Sequence, residues 1–477
     1  MTRAWLGIDI GTAGVRAAAY DADGRRLAEA TADRPPAFPG AGAMVHDPEA
    51  DWWGGSREAI ASVVAAIGGA RIEGIGLAAL FPAACLVDAD GRPVGEGILY
   101  GDRRAADETA VVEGALGVRL TGDEVTPRLR WLRRSDPDSW TRAARALPPA
   151  GYVALRLTGR AMIDPNSAAR WGGIAHGGDW DDDALARLEL RRELLPPIVP
   201  PTTIVGEVTT EAAASTGLPA GTLVVAGASD SFAALLGSGV RGPGDAMIYY
   251  GSSGTLLVAT GSFAAAVADA SVFEPGSPFR LTAYAPNSGG FFERVRTEIF
   301  GGASYAELDA EGATVPPGAN GVFVLPHVSG RMVPAVDPDA RGAIVGLRLD
   351  HRRADLWRAT LESFGWMLMD ALQRLERPLD WVVAGGTGAR SDTWRSIFSD
   401  MTGLRQVRGP ADAGTRGAAF IAALATDGVD GVAAMRDRWL ADQVRAPATE
   451  PDPVAHDGYT ELLPGWLALD AALVGRR

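Results

Sequence analysis

Short apolar runs separated by glycine-containing turns dominate the beginning of the chain. Such runs, bounded by turn-forming residues, are typical of β-strands that are buried in a sheet. The pattern predicts strands at Trp5–Ile10, Val15–Tyr20 and Arg25–Ala30, with the turn Gly11-Thr12-Ala13-Gly14 between the first two. Apolar residues at helical spacing follow over Asp51–Ile67. The N-terminal segment is therefore predicted to be a β-hairpin system that leads into a helix.

The rest of the chain shows strands and helices in alternation, which predicts an α/β fold. The further predicted strands are Ile72–Leu80, Ala84–Val87, Leu223–Ala226, Ala246–Tyr250, Thr255–Ala259 and Trp381–Ala384. The further predicted helices are Thr209–Thr216, Ser231–Leu236, Ala354–Leu375, Thr393–Met401 and Ala413–Ala425. The last of these helices consists mainly of small residues, which suit close packing.

A strand, a G-x-x-G turn and a second strand occur twice in the chain. The first glycines of the two turns are Gly11 and Gly251, which are 251 − 11 = 240 residues apart. Two copies predict two related halves, each with a small-residue turn at a shared cleft. The glycine-rich stretch Gly237–Gly244 resembles a linker, so we divide the 477 residues into domains 1–240 and 241–477.

Composition excludes several kinds of partner. Hydrophobic residues make up 47% of the chain and charged residues 22%, as in ordinary soluble proteins. The net charge of −14 makes nucleic acid an unfavourable partner. We find no signal peptide and no apolar stretch long enough to cross a membrane. Together with the single cysteine, Cys85, this predicts a cytoplasmic protein.

All 45 basic residues apart from histidine are arginine, because the chain contains no lysine. A Walker-type phosphate loop and a Schiff-base lysine are therefore excluded. Any phosphate site must be built from backbone N–H groups and hydroxyls. The five histidines show no spacing typical of metal ligands, and Cys85 in its apolar strand is predicted to belong to the core.

The turn after the first strand is the first candidate site. Glycines let backbone N–H groups approach a polyphosphate, and Thr12 adds a hydroxyl. Asp9, just before the turn, has the oxygen ligands that Mg²⁺ prefers. A plain hairpin turn would explain the same residues, but the second copy at Gly251 favours the phosphate interpretation.

Asp230 follows an apolar strand and opens a helix, in the segment Gly227-Ala228-Ser229-Asp230. It is either an N-cap or a carboxylate that accepts the proton of an attacking hydroxyl, and the two roles are compatible. Asp102, in Tyr100-Gly101-Asp102-Arg103-Arg104, is either part of a surface charge cluster or a ligand for sugar hydroxyls. The turn Gly385-Gly386-Thr387-Gly388 is compatible with an adenine ring or, as a weaker alternative, with a dinucleotide, although G-x-G-x-x-G is absent.

Several motifs resemble those of the FGGY carbohydrate kinases, over nearly the whole chain. Leu6-Gly7-Ile8-Asp9-Ile10-Gly11-Thr12 and Gly251-Ser252-Ser253-Gly254-Thr255 resemble the two phosphate motifs, and Ala384-Gly385-Gly386 with Trp394 and Asp400 resembles the adenosine motif. The most specific match is the C-terminal signature, from Gly342-Ala343-Ile344-Val345-Gly346-Leu347 to Ala359-Thr360-Leu361-Glu362. Thr126-Pro127-Arg128-Leu129-Arg130-Trp131-Leu132 resembles another signature, with Arg128 where lysine is usual.

The resemblance implies two actin-like (ribonuclease H-like) ATPase domains with an ATP and sugar cleft between them, and transfer of phosphate from ATP, with Mg²⁺, to a sugar or polyol hydroxyl. It implies Asp230 as the catalytic base and a substrate contact, and Asp9 as the metal-binding residue. The implied ATP-binding residues are Gly11, Thr12, Ala13, Gly251, Ser252, Ser253, Gly289, Gly385, Gly386 and Arg390. The implied substrate-binding residues are Phe81, Pro82, Asp102 and Arg104.

Within this family the motifs are most similar to those of xylulokinases, but the sugar segment departs from them. Leu80-Phe81-Pro82 stands where xylulokinases carry Gln-Met-His, and Arg390 lies where some members have an adenine-binding asparagine. We therefore expect a small neutral substrate such as xylulose or ribulose, with a preference moved away from D-xylulose. The alternatives are a kinase of glycerol or erythritol, a catalytically silent sensor, or another actin-like ATPase. A homodimer is an open possibility.

Overall fold

The computed structural model describes most of the chain. The described residues are 2–176, 178–240, 242–251, 253–261, 279–285, 288–328, 330–331, 333–335, 337, 339–428, 432–441 and 447–473. Ser252, which we assigned to the second phosphate turn, lies outside these residues.

Strands are numbered in chain order. They are β1 (Arg3–Ile10), β2 (Gly14–Asp21), β3 (Arg26–Asp33), β4 (Val45–His46), β5 (Arg71–Ala79), β6 (Cys85–Val87), β7 (Gly97–Ile98), β8 (Arg145–Leu147), β9 (Ala175–His176), β10 (Asp179–Trp180), β11 (Ile204–Glu207), β12 (Leu223–Ser229), β13 (Asp245–Tyr250), β14 (Gly254–Ala259), β15 (Phe279–Ala285), β16 (Phe323–Leu325), β17 (Ala343–Val345), β18 (Trp381–Gly385), β19 (Gln406–Arg408) and β20 (Ala448–Thr449).

The α-helices are numbered in the same way. They are α1 (Gly55–Ala66), α2 (Ala106–Leu116), α3 (Val125–Ser135), α4 (Pro137–Arg142), α5 (Pro149–Thr158), α6 (Pro165–Ala169), α7 (Asp182–Leu188), α8 (Thr210–Thr216), α9 (Asp230–Gly237), α10 (Ser288–Arg294), α11 (Tyr305–Gly312), α12 (Arg353–Gln373), α13 (Asp392–Thr402), α14 (Ala413–Asp427), α15 (Val432–Trp439) and α16 (Pro453–Leu473). Shorter helical turns of other types lie at Pro48–Gly54, Arg192–Leu194, Val295–Ile299, Ala319–Gly321 and Thr387–Arg390. None of the described helices is long and apolar enough to cross a bilayer.

The chain divides into two compact units. The first is built mainly from Met1–Arg241 together with Asp412–Asp442, and the second mainly from Arg280–Ala411 with Gln443–Arg477. The units are discontinuous in sequence, because Asp412–Asp442 packs with the N-terminal part of the chain. The division into domains 1–240 and 241–477 stays a prediction from the sequence. The compact units are defined instead by which residues pack together in the fold.

The first unit contains a six-stranded sheet in the order β11-β12-β5-β1-β2-β3. β1 pairs antiparallel with β2 and parallel with β5, and β5 pairs parallel with β12. The predicted hairpin Trp5–Tyr20 is therefore confirmed, and β1 lies near the middle of the sheet. Its apolar side chains Leu6, Ile8 and Ile10 are fully buried in the core of this unit.

Helix α14 covers this sheet through glycines. A Cβ atom added at Gly7 would lie 1.8 Å from the carbonyl oxygen of Thr415, and one at Gly76 would lie 1.9 Å from that of Ala418. Helix α9 approaches α14 in the same way, since a Cβ atom at Gly237, the last residue of α9, would lie 2.0 Å from the carbonyl oxygen of Ala413. The backbones can approach this closely only because these positions carry no side chain. The predicted small-residue helix and its close packing are confirmed.

The second unit contains a six-stranded sheet in the order β15-β14-β13-β18-β19-β20. β13 pairs antiparallel with β14 and parallel with β18, as β1 does with β2 and β5. Its core includes a cluster of aromatic side chains: the rings of Tyr250 and Trp394 are 4.9 Å apart, and those of Phe292 and Trp394 are 4.7 Å apart. The predicted strand, turn and strand at Ala246–Ala259 is present.

Candidate active site

The first predicted phosphate turn is held open by backbone hydrogen bonds. The N–H of Gly11 donates to the carbonyl of Gly14 at 2.9 Å, and the N–H of Arg34 donates to the carbonyl of Ala13 at 2.8 Å. Gly11, Thr12 and Ala13 are all at least partly exposed. The N–H of Gly11 thus closes the turn, and the N–H groups of Thr12 and Ala13 with the Thr12 hydroxyl lie on partly or fully exposed residues at the end of β1.

A buried histidine supports this turn from behind. The indole N–H of Trp52 donates to Nδ1 of His46 at 2.9 Å, so the proton of a neutral ring resides on Nε2, which donates to the Thr12 carbonyl at 3.2 Å. Burial lowers the pKa of His46, which keeps the ring neutral. The sequence did not reveal this contact, because no motif connects His46 with the phosphate turn.

The carboxylate of Asp9 is not fully hydrogen-bonded by the described residues. Its Oδ1 atom is enclosed and has no hydrogen-bond partner. Burial raises the pKa of Asp9 to about 6, against the opposing effect of Arg16. Helix α14 passes close by, because a Cβ atom at Gly414 would lie 2.5 Å from Oδ2. A buried carboxylate without a donor is the kind of group that a hydrated cation or a phosphate-bound metal satisfies.

Asp230 is the first residue of α9, directly after β12. Its Oδ1 accepts a hydrogen bond from the N–H of Ser231 at 2.6 Å. Burial is the main cause that raises the pKa of Asp230 to about 7, and the negative charges of Asp9 and Asp164 add to it. The capping position belongs to Ser229, so Asp230 is not the N-cap of the helix.

Ser229, the residue before Asp230, is contacted by the first turn of α6. The side-chain amide of Asn166 donates to Oγ of Ser229 at 2.6 Å. Asp164, which caps the same helix by accepting from the N–H of Ser167 at 3.1 Å, contributes a negative charge that helps to raise the pKa of Asp230. Asp164 and Asn166 were missed from sequence. The only available signal was the Asp-Pro-Asn pattern, which reads as an ordinary helix start.

The segment Leu80-Phe81-Pro82 follows β5 directly. Leu80 is in the core at 1% exposure, and its N–H donates to the carbonyl of Ile10 at 2.8 Å. Pro82 is also buried, whereas Phe81 is partly exposed. Of the three residues that replace Gln-Met-His, Phe81 alone presents an accessible side chain.

Asp102 is buried and fully engaged. Its Oδ2 accepts hydrogen bonds from the N–H of Met44 at 3.1 Å and from Nη2 of Arg104 at 2.8 Å, and its Oδ1 accepts from the N–H of Arg104 at 3.0 Å. The guanidinium of Arg104 also lies over the ring of Trp131 at 4.7 Å. A sugar hydroxyl at Asp102 would have to compete with these donors.

The second predicted phosphate turn has a tighter environment. The N–H of Gly251 donates to the carbonyl of Ser253 at 3.2 Å. A Cβ atom at Gly251 would lie 2.0 Å from Cε1 of Tyr249. Ser253 is partly exposed. This turn is therefore closed on one side by an aromatic ring, in contrast to the first.

The residues predicted to bind adenosine lie on several elements. Gly385 and Gly386 lie at the end of β18, Arg390 in the helical turn that follows, and Gly289 on α10. Trp394 lies on α13. Gly385 ends the strand, and Gly386 has a φ of +87°, a conformation that favours glycine. Gly386 and Arg390 are exposed, and Gly289 is partly exposed near the start of α10. Trp394 belongs to the core: its indole N–H donates to the Leu361 carbonyl at 3.2 Å. It supports the glycine turn from below, since a Cβ atom at Gly388 would lie 2.4 Å from its ring.

Other features of the described residues lie away from these groups. A surface cavity of about 610 Å³ is bordered by Arg34, Trp53 and Arg57, and none of the predicted site residues lines it. The described residues contain no group of three or more His, Cys, Asp or Glu side chains that could hold a metal ion. The candidate site is thus defined by its carboxylates and glycine turns.

Comparison with known proteins decides the family. Residues 4–237 match the N-terminal domain of the FGGY family of carbohydrate kinases, and residues 282–426 match the C-terminal domain of that family. These matches cover more than half of the chain. The chain belongs to the FGGY family of carbohydrate kinases. It is an ATP-dependent carbohydrate kinase, and both the predicted resemblance and the predicted enzyme class are confirmed.

Individual relatives are similar over most of their length. A xylulose kinase from Klebsiella pneumoniae is 29% identical over 424 residues, which cover 84% of this chain and 85% of that protein. A glycerol kinase from Alkalilimnicola ehrlichii is 32% identical over 455 residues, which cover 89% and 90%. The solved structure of a xylulose kinase from Rhodospirillum rubrum superposes with a TM-score of 0.81 at 29% identity, over 99% of both chains. The predicted fold of two actin-like ATPase domains is confirmed.

Proposed function

We propose that this kinase phosphorylates a neutral ketopentose of the xylulose or ribulose type, with ATP and Mg²⁺, and that Asp230 accepts the proton of the attacking hydroxyl. The observation that carries the proposal is the carboxylate pair of the first unit: Asp230 has a pKa raised to about 7, in part by the charge of Asp9. A base is most effective when its pKa lies near the working pH. The ketopentose class is supported by the xylulose kinases among the relatives.

The proposed role of Asp230 follows from its position. At the first residue of α9, its carboxylate lies at the positive end of the helix, which favours the ionised form. Burial and the nearby carboxylates favour the protonated form. The two effects leave a carboxylate that can take the hydroxyl proton as the oxygen attacks the γ-phosphorus. The bond from that phosphorus to the bridging oxygen of ADP then breaks.

Mg²⁺ is expected with the nucleotide, and Asp9 is the residue that would hold it. The fit is indicated by the unpartnered Oδ1 of Asp9 and by the preference of Mg²⁺ for one or two carboxylates and several waters. When bound, the ion neutralises part of the charge of the phosphates. The N–H groups of Thr12 and Ala13 and the Thr12 hydroxyl would donate to phosphate oxygens, while Gly11 lets the phosphate approach the backbone. Gly251, Ser252 and Ser253 are proposed to do the same from the second turn.

The sugar specificity is proposed to differ from that of xylulokinases. Leu80 and Pro82 stand where xylulokinases carry the polar Gln and His, and Phe81 stands in the place of Met. The oxygens of Asp102 already accept hydrogen bonds from Arg104 and Met44. Each hydrogen bond lost to a sugar hydroxyl is worth on the order of 1 kcal/mol, or about fivefold to tenfold in kcat/KM. We therefore expect a preference moved away from D-xylulose. A second candidate, a polyol kinase, is favoured by the similarity to a glycerol kinase.

An assay of ADP release with a panel of substrates tests the proposal. The panel consists of D-xylulose, L-xylulose, D-ribulose, L-ribulose, erythritol and glycerol. We expect the highest kcat/KM with a ketopentose other than D-xylulose. A preference for glycerol or erythritol would favour the second candidate. Activity with none of the six would contradict the proposed substrate class, and a clear preference for D-xylulose would overturn the specificity shift. Cytoplasmic location and a homodimer remain predictions.

A further inference from the structure

Arg128 connects the two segments that are proposed to form the sugar site. It lies on α3 and is only 3% exposed. Its Nη2 donates to the carbonyl of Tyr100 at 2.8 Å, and its Nη1 donates to the carbonyl of Pro82 at 3.4 Å. Tyr100 lies two residues before Asp102, and Pro82 directly follows Phe81. One guanidinium therefore holds the backbones of both proposed sugar-binding segments.

The burial of this guanidinium is costly. Desolvation lowers the pKa of Arg128 to about 10, although the charges of Asp123 and Asp102 oppose this. Its Nε is enclosed and has no hydrogen-bond partner. An unsatisfied buried donor is destabilising, so an apolar side chain of similar size would stabilise the core at least as well. The arrangement is therefore poorly explained by stability alone.

The neighbouring arginine of α3 provides a contrast. Arg130 donates from Nε to Oε2 of Glu108 at 3.0 Å and from Nη1 to the carbonyl of Leu188 at 2.8 Å. It thus also joins a helix to a backbone carbonyl, but neither partner belongs to the proposed sugar site. If holding α3 in place were the only role of these arginines, the two residues would be equivalent in function.

We infer that Arg128 is a positioning residue for the sugar: it sets the spacing between the Phe81-Pro82 and Tyr100-Asp102 segments and so governs the affinity for the sugar, and not for ATP. The inference rests on the proposed function, because it takes these two segments as the sugar site. A planar guanidinium with separate Nη1 and Nη2 donors can fix two carbonyls at a set distance, whereas the single ammonium of the usual lysine is a point charge on a flexible stem.

The test compares Arg128→Met, Arg128→Lys and the control Arg130→Met in the full-length kinase. The assay substrate is whichever of D-xylulose, L-xylulose, D-ribulose, L-ribulose, erythritol and glycerol gives the highest kcat/KM with the unmodified protein. For Arg128→Met we expect the KM for the sugar to rise by about tenfold or more and the KM for ATP to stay within about twofold. Arg128→Lys should fall between Arg128→Met and the unmodified protein. Arg130→Met should leave the sugar KM within about twofold even if it lowers the melting temperature.

The outcomes separate the inference from the proposed function. If the unmodified protein releases ADP but a folded Arg128→Met variant keeps its sugar KM, the inference is overturned. It is also overturned if Arg130→Met raises the sugar KM as much as Arg128→Met does, or if the KM values for sugar and ATP rise together. Should Arg128→Met fail to fold, an unchanged sugar KM in Arg128→Lys would overturn the inference. If the unmodified protein acts on none of the probes, the proposed function fails first and the inference fails with it.

Discussion

The two compact units contain the same arrangement of strands around different chemistry. In the first, the sheet order from its hairpin edge is β3-β2-β1-β5-β12-β11, and in the second it is β15-β14-β13-β18-β19-β20. The last strand is antiparallel to its neighbour in both sheets. In each unit a G-x-x-G turn follows the first strand of the hairpin, which is β1 in the first sheet and β13 in the second. The duplicated pattern therefore accounts for the two turns, but not for the functional groups around them.

The difference lies in the residues at the ends of the strands. Two positions before the first glycine of the turn, the first unit has Asp9 and the second has Tyr249. The fifth strand of the first sheet, β12, is followed by Asp230, whereas the fifth strand of the second sheet, β19, is followed by Gly409. At these equivalent positions the first unit therefore carries carboxylates, whereas the second carries an aromatic side chain and a glycine.

The largest expected effect concerns the catalytic carboxylate that is proposed for the first unit. Asp230→Asn should lower kcat by about a hundredfold or more, because the hydroxyl loses its proton acceptor. The matched control is Asp392→Asn, since Asp392 is likewise the first residue of a helix, in the second unit. Steady-state kinetics should show kcat within about twofold for this control. Near-normal turnover in Asp230→Asn would contradict the proposed role of Asp230 as the base.

The next effect distinguishes the two turns. Gly251→Ala would place a Cβ atom 2.0 Å from the ring of Tyr249, whereas Gly11→Ala would place one 3.3 Å from the carbonyl oxygen of Gly14. We expect calorimetry to show that Gly251→Ala weakens ATP binding by about tenfold or more and Gly11→Ala by about threefold. Unchanged ATP affinity in a folded Gly251→Ala protein would mean that the second turn does not contact the nucleotide.

A smaller effect concerns the residues two positions before each turn. Asp9→Ala should raise the Mg²⁺ concentration needed for the half-maximal rate by about fivefold, because the carboxylate that would hold the hydrated ion is lost. Tyr249→Phe, the matched change in the second unit, should leave this concentration unchanged. A titration of rate against Mg²⁺ at saturating ATP measures both. Equal Mg²⁺ dependence in Asp9→Ala and the unmodified protein would assign Asp9 to support of the turn.

The smallest effect tests the approach of α14 to Asp9. Gly414→Ala would place a Cβ atom 2.5 Å from Oδ2 of Asp9 and force the carboxylate to move. We expect kcat to fall by about threefold with little change in melting temperature, since one side chain can adjust. Gly428→Ala at the end of the same helix is not a suitable control, because its φ of +93° strains any other residue. Ala425→Gly, in the last turn of α14, serves instead and should leave kcat unchanged.

Much of the architecture could be predicted because it depends on local patterns. The strands before and after both turns, the helix opened by Asp230 and the small-residue helix α14 all follow from apolar periodicity and turn residues. The packing of α14 against the first sheet could not be predicted. It depends on glycines at positions 7 and 76, which are distant in sequence and matter only once the backbones meet.

Site residues that belong to a sequence motif could be predicted. Residues that act through a contact with a distant part of the chain were missed. Asp9 and Asp230 stand at recognisable turns, so their positions followed from sequence. The hold of Asn166 on Ser229 and of His46 on Thr12 involves pairs separated by 63 and 34 residues, with no periodic signal. For Asp102 the sequence suggested more than the structure supports. Its residue type suggested a free hydrogen-bond acceptor, but its oxygens already accept from Arg104 and Met44.

Direct detection of the phosphorylated sugar tests the central claim, that this kinase transfers the γ-phosphoryl group to a ketopentose with Asp230 as the base. Unmodified protein and Asp230→Asn are incubated with ATP, Mg²⁺ and each ketopentose, and the products are analysed by mass spectrometry and ³¹P NMR. The account predicts a ketopentose monophosphate with the unmodified protein, formed at least about a hundredfold more slowly by the variant. ADP and free phosphate without a sugar phosphate, or equal formation of the sugar phosphate by both proteins, would contradict it.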